Sequence, residues 1–372
     1  MPAARPGLRH PLSGSNPATL LKVLAGNGPI PHQQWPQLAA IASAVLLRWP
    51  FTLAERAAAL GLARRAQAMP APVFIIGHWR SGTTHLYNVL SKSRAFNYVS
   101  PLATGLPWEM LSLARTLRPL LERALPAERF IDRIPVEPDS PQEDEIALAN
   151  MTPLSFYHGI YFPQHFARNF NRGVFFDGCT NDESEAWQRT FVYFLSKVWC
   201  QHPQQSLLIK NPVYSGRVAL LQALWPQAQF IHIYRNPYRV FSSMQTFYRQ
   251  LFRTFALQPV EGLDCDEWIL QTYPRLMEAC LQQTAALPAG QLAEVCFEQF
   301  EADPLGELER IYATLHWDGF EIDRDAFARY LDSVSQYQKK PHALDAQTAQ
   351  RVRDRWHPFI ERWGYEPPVS LS

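Results

Sequence analysis

The sequence predicts an α/β fold with a central parallel sheet. The expected strands are short runs of β-branched and aromatic residues, each followed by residues with the apolar spacing of a helix. A helix that follows a strand returns the chain, so that the next strand runs parallel to the first. At 372 residues, one α/β domain with helical additions is favoured over two domains. The predicted strands are 73–76, 98–102, 207–209, 230–234 and 292–297.

Residues 1–70 are predicted to form a helical extension in front of this domain. A loose segment rich in proline and glycine leads to two helices, at about 34–48 and 52–68. The main domain then covers 71–372. Within it, residues 103–170 lose the alternation of strand and helix and become rich in proline, aromatic and charged residues. We expect this insertion to act as a lid that covers a site.

An apolar stretch from Leu38 to Leu47 lies in the extension. It is shorter than the ~20 residues needed to cross a bilayer, so it is not predicted to span one. Two alternatives remain open. The stretch is either a helix packed in the core of the extension or, because Trp35 and Trp49 flank it and arginines follow, a helix that lies on a membrane surface over residues 35–50.

The net charge and the spacing of the cysteines exclude some classes of function. The 35 basic and 34 acidic residues give a net charge of +1, so no global field attracts nucleic acid, and any anion site is built from local groups. The five cysteines show no CxxC pair and no His/Cys metal-ligand spacing. We therefore expect free, buried thiols in a reducing, cytoplasmic compartment and no metal site.

The most informative stretch joins the strand at 73–76 to a following helix. Gly77 and Gly82 have four residues between them, which is the glycine spacing of a phosphate-binding P-loop. The backbone amides of residues 80–84 precede the helix, whose dipole points its positive end at them, so the loop is expected to bind phosphate. However, Thr83 stands at the position of the P-loop lysine. This disfavours an ordinary ATPase or kinase.

Two basic residues follow neighbouring strands at equivalent positions. Lys210 ends the strand at 207–209, Arg235 ends the strand at 230–234, and an asparagine comes after each. A single such residue would be read as a solvated loop charge. Because ligands of parallel sheets bind at the carboxyl ends of the strands, the pair beside a phosphate loop predicts an anion site instead.

Two motifs resemble those of sulfotransferases that use 3′-phosphoadenosine 5′-phosphosulfate (PAPS). The loop resembles their 5′-phosphosulfate loop, and Arg235 followed eight residues later by Ser243 resembles their 3′-phosphate motif, in the same order along the chain. The resemblance covers about residues 70–365 and is to bacterial-type members. It implies a P-loop-like three-layer fold, PAPS as co-substrate, no metal requirement, and sulfuryl transfer to an acceptor hydroxyl or amine.

The resemblance also implies roles for individual residues. Arg80 is expected near the leaving oxygen, Lys210 at the sulfuryl group, and Arg235 with Ser243 at the 3′-phosphate. Near the C-terminus, residues 335–342 resemble a basic loop that closes over the nucleotide. The expected nucleotide-binding residues are Arg80, Ser81, Gly82, Thr83, Thr84, Arg235, Ser243, Lys339 and Lys340. The segments Phe297-Glu298-Gln299-Phe300 and Trp363-Gly364-Tyr365 also resemble parts of the family, and the first is expected to pack rather than react.

The general base cannot be carried over from the family. Some members use a histidine, and others place a glutamate about twenty residues after the loop. In this chain the corresponding residues, 98–101, include no carboxylate. We expect Glu143 or Glu145, with Asp144 behind them and His158 as a further alternative, to serve as the base. The ordinary alternative is that these carboxylates only stabilise the start of a helix.

The acceptor is only weakly indicated. The aromatic and proline-rich insertion favours an apolar alcohol or phenol, including a lipid, over a charged glycan. Two other function classes remain open: a magnesium-dependent phosphotransferase, and a nucleotide-binding protein without catalytic activity.

Overall fold

The computed structural model describes residues 10–62, 68–123, 139–335 and 344–366. The chain divides into two compact units. The first comprises 1–70, 97–205 and 250–263, and the second comprises 71–96, 206–249 and 264–372. The predicted extension and the predicted insertion thus belong to the same unit. The predicted division into an extension and a main domain stays a prediction.

The parallel sheet belongs to the second unit and has the order β2-β3-β1-β4-β5. Strand β1 lies in the centre, where Phe74 pairs with Ile209 of β3 on one side and with Phe230 of β4 on the other. All four residues of β1 are buried, as expected for a strand covered on both faces. The strands are β1 (Val73–Ile76), β2 (Phe96–Asn97), β3 (Ser206–Lys210), β4 (Gln229–Tyr234) and β5 (Leu292–Cys296).

The predicted α/β fold with a central parallel sheet is confirmed, but the second strand was placed wrongly. The short strand β2 ends at Asn97, and residues 101–105 form a helix where a strand was expected. The reason is local, because Ser100 caps that helix by accepting a hydrogen bond from the amide of Ala103, and Pro101 occupies its first turn.

Helices surround the sheet in the second unit. They are α3 (Thr83–Leu90), α11 (Val218–Leu224), α12 (Pro237–Phe255), α13 (Cys265–Thr284), α14 (Phe297–Ala302), α15 (Pro304–Thr314), α16 (Phe320–Val334) and α17 (Ala346–Arg362). Helix α12 begins in the second unit and ends in the first.

The described part of the first unit is helical. Its helices are α1 (Pro17–Asn27), α2 (Trp35–Ala58), α4 (Pro101–Gly105), α5 (Leu113–Thr116), α6 (Arg118–Arg123), α7 (Glu145–Met151), α8 (Phe156–Tyr161), α9 (Phe166–Phe175) and α10 (Asn181–Trp199). Helix α7 contains Glu145, and Asp144 is its N-terminal flanking residue.

Helix α2 replaces the two helices predicted for the extension. It runs without a break through Pro50, although an interior proline normally removes a hydrogen bond and kinks or ends a helix. Contacts on both sides of the proline explain the continuity. Arg48 pairs with the buried carboxylate of Glu109 at 2.5 Å, and Glu55 pairs with the buried ammonium of Lys197 at 2.5 Å.

By length and composition alone, the helical segment His32–Gly61 is apolar enough to cross a membrane. Its mean hydropathy over an 18-residue window is 1.3, and 17% of that window is buried in the protein. The segment is longer than the ten-residue stretch read from the sequence because the helix continues past Pro50. That it does not span a membrane stays a prediction.

Candidate active site

Gly77 ends β1 and opens the loop that leads to α3. Its φ is 140°, and a Cβ atom there would lie 2.2 Å from the carbonyl oxygen of Ile233 in β4, so only glycine fits. Ser215 fixes the same residue from the other side. Its hydroxyl accepts a hydrogen bond from the Gly77 amide at 2.8 Å and lies 3.1 Å from the Gly77 carbonyl oxygen. Sequence reasoning missed this anchor.

Gly82 is constrained in the same way at the start of α3. Its φ is 99°, and a Cβ atom would lie 2.1 Å from the ring of Phe297. Between the two glycines, Arg80 adopts a left-handed backbone conformation with a φ of 70°, which is strained for a residue with a side chain. The loop is therefore compressed between the end of β4 and the start of α14.

The loop presents backbone donors at the N-terminus of α3. Among the described residues, the amides of Gly82, Thr83 and Thr84 have no protein acceptor outside the helix itself. The Ser81 amide, in contrast, donates to the carbonyl oxygen of His78, and the Ser81 hydroxyl lies within hydrogen-bonding distance of the carbonyls of His78 and Ile233. Ser81 thus holds the loop together, whereas the next three amides have the arrangement by which helix N-termini bind anions.

Lys210 reaches this loop from the end of β3. Its ammonium group donates to the Thr84 hydroxyl at 3.1 Å, and the residue is 1% exposed. The position predicted from the sequence, at the carboxyl end of a strand beside the loop, is therefore the position observed. Its positive charge lies next to the amides that would bind an anion.

The structure also joins the loop to the second predicted motif. Arg80 Nε donates to Ser243 Oγ at 2.8 Å, and Arg235 Nη1 donates to the carbonyl oxygen of Arg80 at 3.2 Å. These residues are up to 163 positions apart in the chain. Two arginines and a serine thus form one cluster beside the anion loop.

Arg235 is held by an aromatic ring and a carboxylate. Its guanidinium lies 4.3 Å from the ring centre of Phe297, the same ring that packs against Gly82. Burial lowers the pKa of Arg235 to about 10, and the nearby Glu298 carboxylate opposes that shift, so the group stays charged at neutral pH. Its Nε is buried and has no hydrogen-bond partner among the described residues, which leaves a donor for an anion.

Glu298 ties this cluster to the C-terminal segment. One carboxylate oxygen accepts from the amide of Asn236 at 3.1 Å, and the other accepts from the Tyr365 hydroxyl at 2.7 Å. The sequence indicated that Glu298 and Tyr365 lie in segments shared with a family, but gave no sign that they touch. Together they fix the residue that follows Arg235.

The two carboxylates predicted as the base belong to the first unit. Glu145 is 1% exposed, and one of its oxygens accepts from the Ser155 hydroxyl at 2.7 Å and the Phe156 amide at 2.9 Å, at the start of α8. Glu143 precedes α7 and is partly exposed. Lys339 and Lys340, predicted to contact the nucleotide, lie outside the described residues.

The loop lacks the P-loop lysine and is joined to an arginine and serine cluster on a parallel sheet, which is the arrangement expected of a nucleotide-binding α/β protein. A sequence profile described as the sulfotransferase family matches residues 72–321, about two thirds of the chain. The chain therefore belongs to the sulfotransferase family. It is accordingly a sulfuryl-transferring enzyme, and membership of the family implies PAPS as the donor.

Two curated relatives and two solved structures resemble the chain. It is 28% identical over 295 residues to the omega-hydroxy-beta-dihydromenaquinone-9 sulfotransferase Stf3 of Mycobacterium bovis and to that of Mycobacterium tuberculosis, covering 79% of this chain and 75% of each relative.

The structure of sulfotransferase STF9 from Mycobacterium avium matches with a TM-score of 0.68 at 16% identity, covering 94% of this chain and 90% of STF9. Sulfotransferase STF1 from Mycobacterium tuberculosis H37Rv matches with a TM-score of 0.61 at 16% identity, covering 91% and 90%. At this identity the two structures support the fold.

The substitution Gly82→Ala tests the compression of the loop. We expect it to lower the free energy of unfolding by at least about 2 kcal/mol, because the new methyl group overlaps the Phe297 ring and the left-handed backbone becomes strained. Urea unfolding followed by circular dichroism measures this loss. Gly262→Ala is the matched control, since its φ is 73° with open space around it, and it should cost only about 1 kcal/mol. Equal losses in the two variants would contradict the steric argument.

Proposed function

We propose that this enzyme transfers the sulfuryl group of PAPS to the hydroxyl group of an apolar lipid alcohol. The observation that best supports PAPS as the donor is the contact of Arg80 with Ser243 beside Arg235. It brings two cations and a hydroxyl together beside the loop that precedes α3, and a donor with separate 5′- and 3′-phosphate groups needs such a cluster in addition to the α3 amides. Guanidinium groups bind phosphate through charge-assisted hydrogen bonds.

The proposed reaction is a single displacement at sulfur. The acceptor oxygen forms a bond to sulfur while the bond from sulfur to the 5′-phosphate oxygen breaks, and the acceptor proton passes to a base. The products are a sulfate ester and 3′-phosphoadenosine 5′-phosphate. The amides of Gly82, Thr83 and Thr84 would hold the 5′-phosphosulfate, and Lys210 and Arg80 would stabilise the negative charge that develops on the leaving oxygen. Because these cations offset that negative charge, the proposal assigns no role to a metal ion.

Calorimetric titration with 3′-phosphoadenosine 5′-phosphate and with ADP tests the donor site. The wild type should bind the 3′,5′-bisphosphate more tightly than ADP. In Arg235→Ala that affinity should fall roughly 10- to 100-fold, because charge-assisted hydrogen bonds to the 3′-phosphate are lost, while ADP affinity changes little. Arg249→Ala is the matched control, an exposed arginine on the same helix as Ser243. Tighter binding of ADP, unaffected by Arg235→Ala, would contradict the donor assignment and favour a phosphotransferase.

The lipid acceptor is supported by a relative and by composition. The curated relatives are named for a menaquinone-derived lipid alcohol, omega-hydroxy-beta-dihydromenaquinone-9, and cover most of this chain. Residues 145–175 contribute many buried aromatic rings to the first unit, among them Phe156, Tyr157, Tyr161, Phe166 and Phe170. An apolar acceptor is compatible with such a composition, whereas a charged glycan would need a basic surface.

An acceptor series tests this proposal. Sulfate transfer from labelled PAPS should be at least tenfold more efficient, as kcat/KM, for a long-chain isoprenoid alcohol than for a short alcohol with the same terminal hydroxyl. Burial of each additional methylene group contributes about 0.8 kcal/mol, so a few buried groups exceed tenfold. Both acceptors are assayed in the same mixed micelles. Faster sulfation of a charged sugar than of either alcohol would reject the lipid acceptor.

Glu143 is the stronger of the two predicted bases. Glu145 already accepts two hydrogen bonds that organise the start of α8, so its carboxylate has a structural role, whereas Glu143 is partly exposed. A general base contributes on the order of 10²–10⁴ to the rate. We therefore propose that Glu143 removes the acceptor proton.

The variants Glu143→Gln and Glu145→Gln separate these roles. Glu143→Gln should lower kcat by at least about 100-fold, with little change in bisphosphate affinity or thermal stability. Glu145→Gln should lower the melting temperature instead, because buried hydrogen bonds to its carboxylate are weakened. Retained kcat in Glu143→Gln would show that another group is the base.

We also propose a cytoplasmic location. All five cysteines are free, with Cys280 buried and the other four partly exposed. Free thiols are typical of proteins in reducing compartments.

A further inference from the structure

Helix α2 has the reverse of the usual polarity of a surface helix. Two of its three charged side chains, Arg48 and Glu55, point into the first unit, where Glu55 pairs with Lys197, whose side chain is fully buried. Arg48 pairs with Glu109, which also accepts a hydrogen bond from the Thr52 hydroxyl. Surface helices normally turn an apolar stripe inward and their charges toward water.

The opposite face of α2 is exposed and apolar. Exposed residues recur every three or four positions along the helix, which places them on one side of it. Among the described residues, six of the eleven exposed large apolar side chains lie between Trp35 and Leu60, and Leu46 and Leu60 are 62% and 81% exposed. We call this stripe the outer face of α2; its members are Trp35, Ala39, Ser43, Leu46, Pro50, Leu53, Ala57 and Leu60.

The exposed charges on α2 and on the neighbouring helix α1 are positive. Glu55 is the only acidic residue in α2, and it is buried in its ion pair, so the exposed part of the helix carries no carboxylate. Arg56 is exposed near the end of the helix, and Lys22 is exposed on α1 beside Leu21, itself 67% exposed. A tryptophan at the start of the stripe is typical of a helix at a lipid headgroup interface.

We propose that the outer face of α2 lies on the surface of a phospholipid bilayer that contains anionic lipid. The apolar side chains enter the boundary between headgroups and acyl chains, and the flanking cations meet anionic headgroups. The inward ion pairs keep the helix attached to the first unit while its apolar face is presented outward. This docking goes beyond sulfuryl transfer and does not depend on it, although it would hold the enzyme where a lipid alcohol resides.

A second copy of the chain fits this face less well. From Trp35 to Leu60 the stripe is about 38 Å long, and a helix is about 10 Å wide, so the face offers on the order of 400 Å². Stable protein interfaces bury about 800 Å² on each partner. A bilayer surface has no such size requirement, because interfacial binding scales with whatever apolar area is inserted.

The helix is placed on the membrane rather than across it. Its inner face is buried against the first unit through Ile41, Val45, Thr52 and Glu55. Crossing the bilayer would expose Glu55 and Arg48 to hydrocarbon and leave Lys197 and Glu109 buried without partners. Breaking a buried ion pair by removing one partner costs about 3–5 kcal/mol.

Co-sedimentation with vesicles tests the docking without donor or acceptor. The full-length wild type should sediment with phosphatidylcholine vesicles that contain phosphatidylglycerol, and an alkaline carbonate wash should release it. The double variant Leu46→Glu/Leu53→Glu should bind at least about tenfold more weakly, because two apolar side chains are replaced by charges that anionic lipid repels. Both positions are exposed, so circular dichroism and bisphosphate binding should match the wild type.

Ile322→Glu is the matched control, since Ile322 is 68% exposed on α16 of the second unit and is not a member of this stripe. It should bind vesicles as the wild type does. Three results would overturn the proposal: a wild type that does not sediment, a double variant that sediments equally well, or a wild type that resists the carbonate wash. A wild-type dimer that the double variant dissociates, with no vesicle binding, would assign the face to a second copy instead. The sulfotransferase assignment would survive each of these results, because titration with 3′-phosphoadenosine 5′-phosphate tests it separately.

Discussion

The close packing of two glycines determines the geometry of the donor site. Gly77 lies against the Ile233 carbonyl of β4, and Gly82 lies against the Phe297 ring at the start of α14. With both ends fixed, the loop takes the left-handed backbone at Arg80 that sends the Arg80 side chain toward Ser243. The strain at Arg80 costs about 1–3 kcal/mol and persists because the two glycine contacts over-determine the loop. The sheet thus positions a cation that no local preference would place there.

Phe297 and Glu298 connect the parts of this site. The Phe297 ring touches Gly82 on one side and the Arg235 guanidinium on the other, so the 5′ and 3′ halves of the predicted nucleotide site share one packing contact. Glu298 adds a link to Tyr365, near the C-terminus. A displacement of α14 would therefore alter both halves together. We infer that the spacing of the two halves is set by this helix rather than by either loop alone.

The sequence predicted four of the five strands because each is a short apolar run, and three of these runs are followed by glycine or a basic residue. It misplaced β2, since the apolar character of 98–102 was given more weight than the helix start at Ser100 and Pro101. It broke helix α2 at Pro50, since buried ion pairs that override a proline are visible only in tertiary structure. The contacts of Arg80 with Ser243 and of Glu298 with Tyr365 could not be predicted either, because motifs reveal residue types but not which distant side chains are in contact.

The buried ion pairs of the first unit explain why the exposed face of helix α2 is apolar. Glu55, Lys197 and Glu109 would each cost several kcal/mol if buried alone, and their mutual pairing, completed by Arg48, fixes which side of the helix faces inward. Rotation of the helix to bury its leucines would break every one of these pairs. Burial lowers the pKa of Lys197, and the charge of Glu55 opposes that shift. Small rearrangements therefore could not bury the apolar outer face, because the ion pairs fix the orientation in which it is exposed.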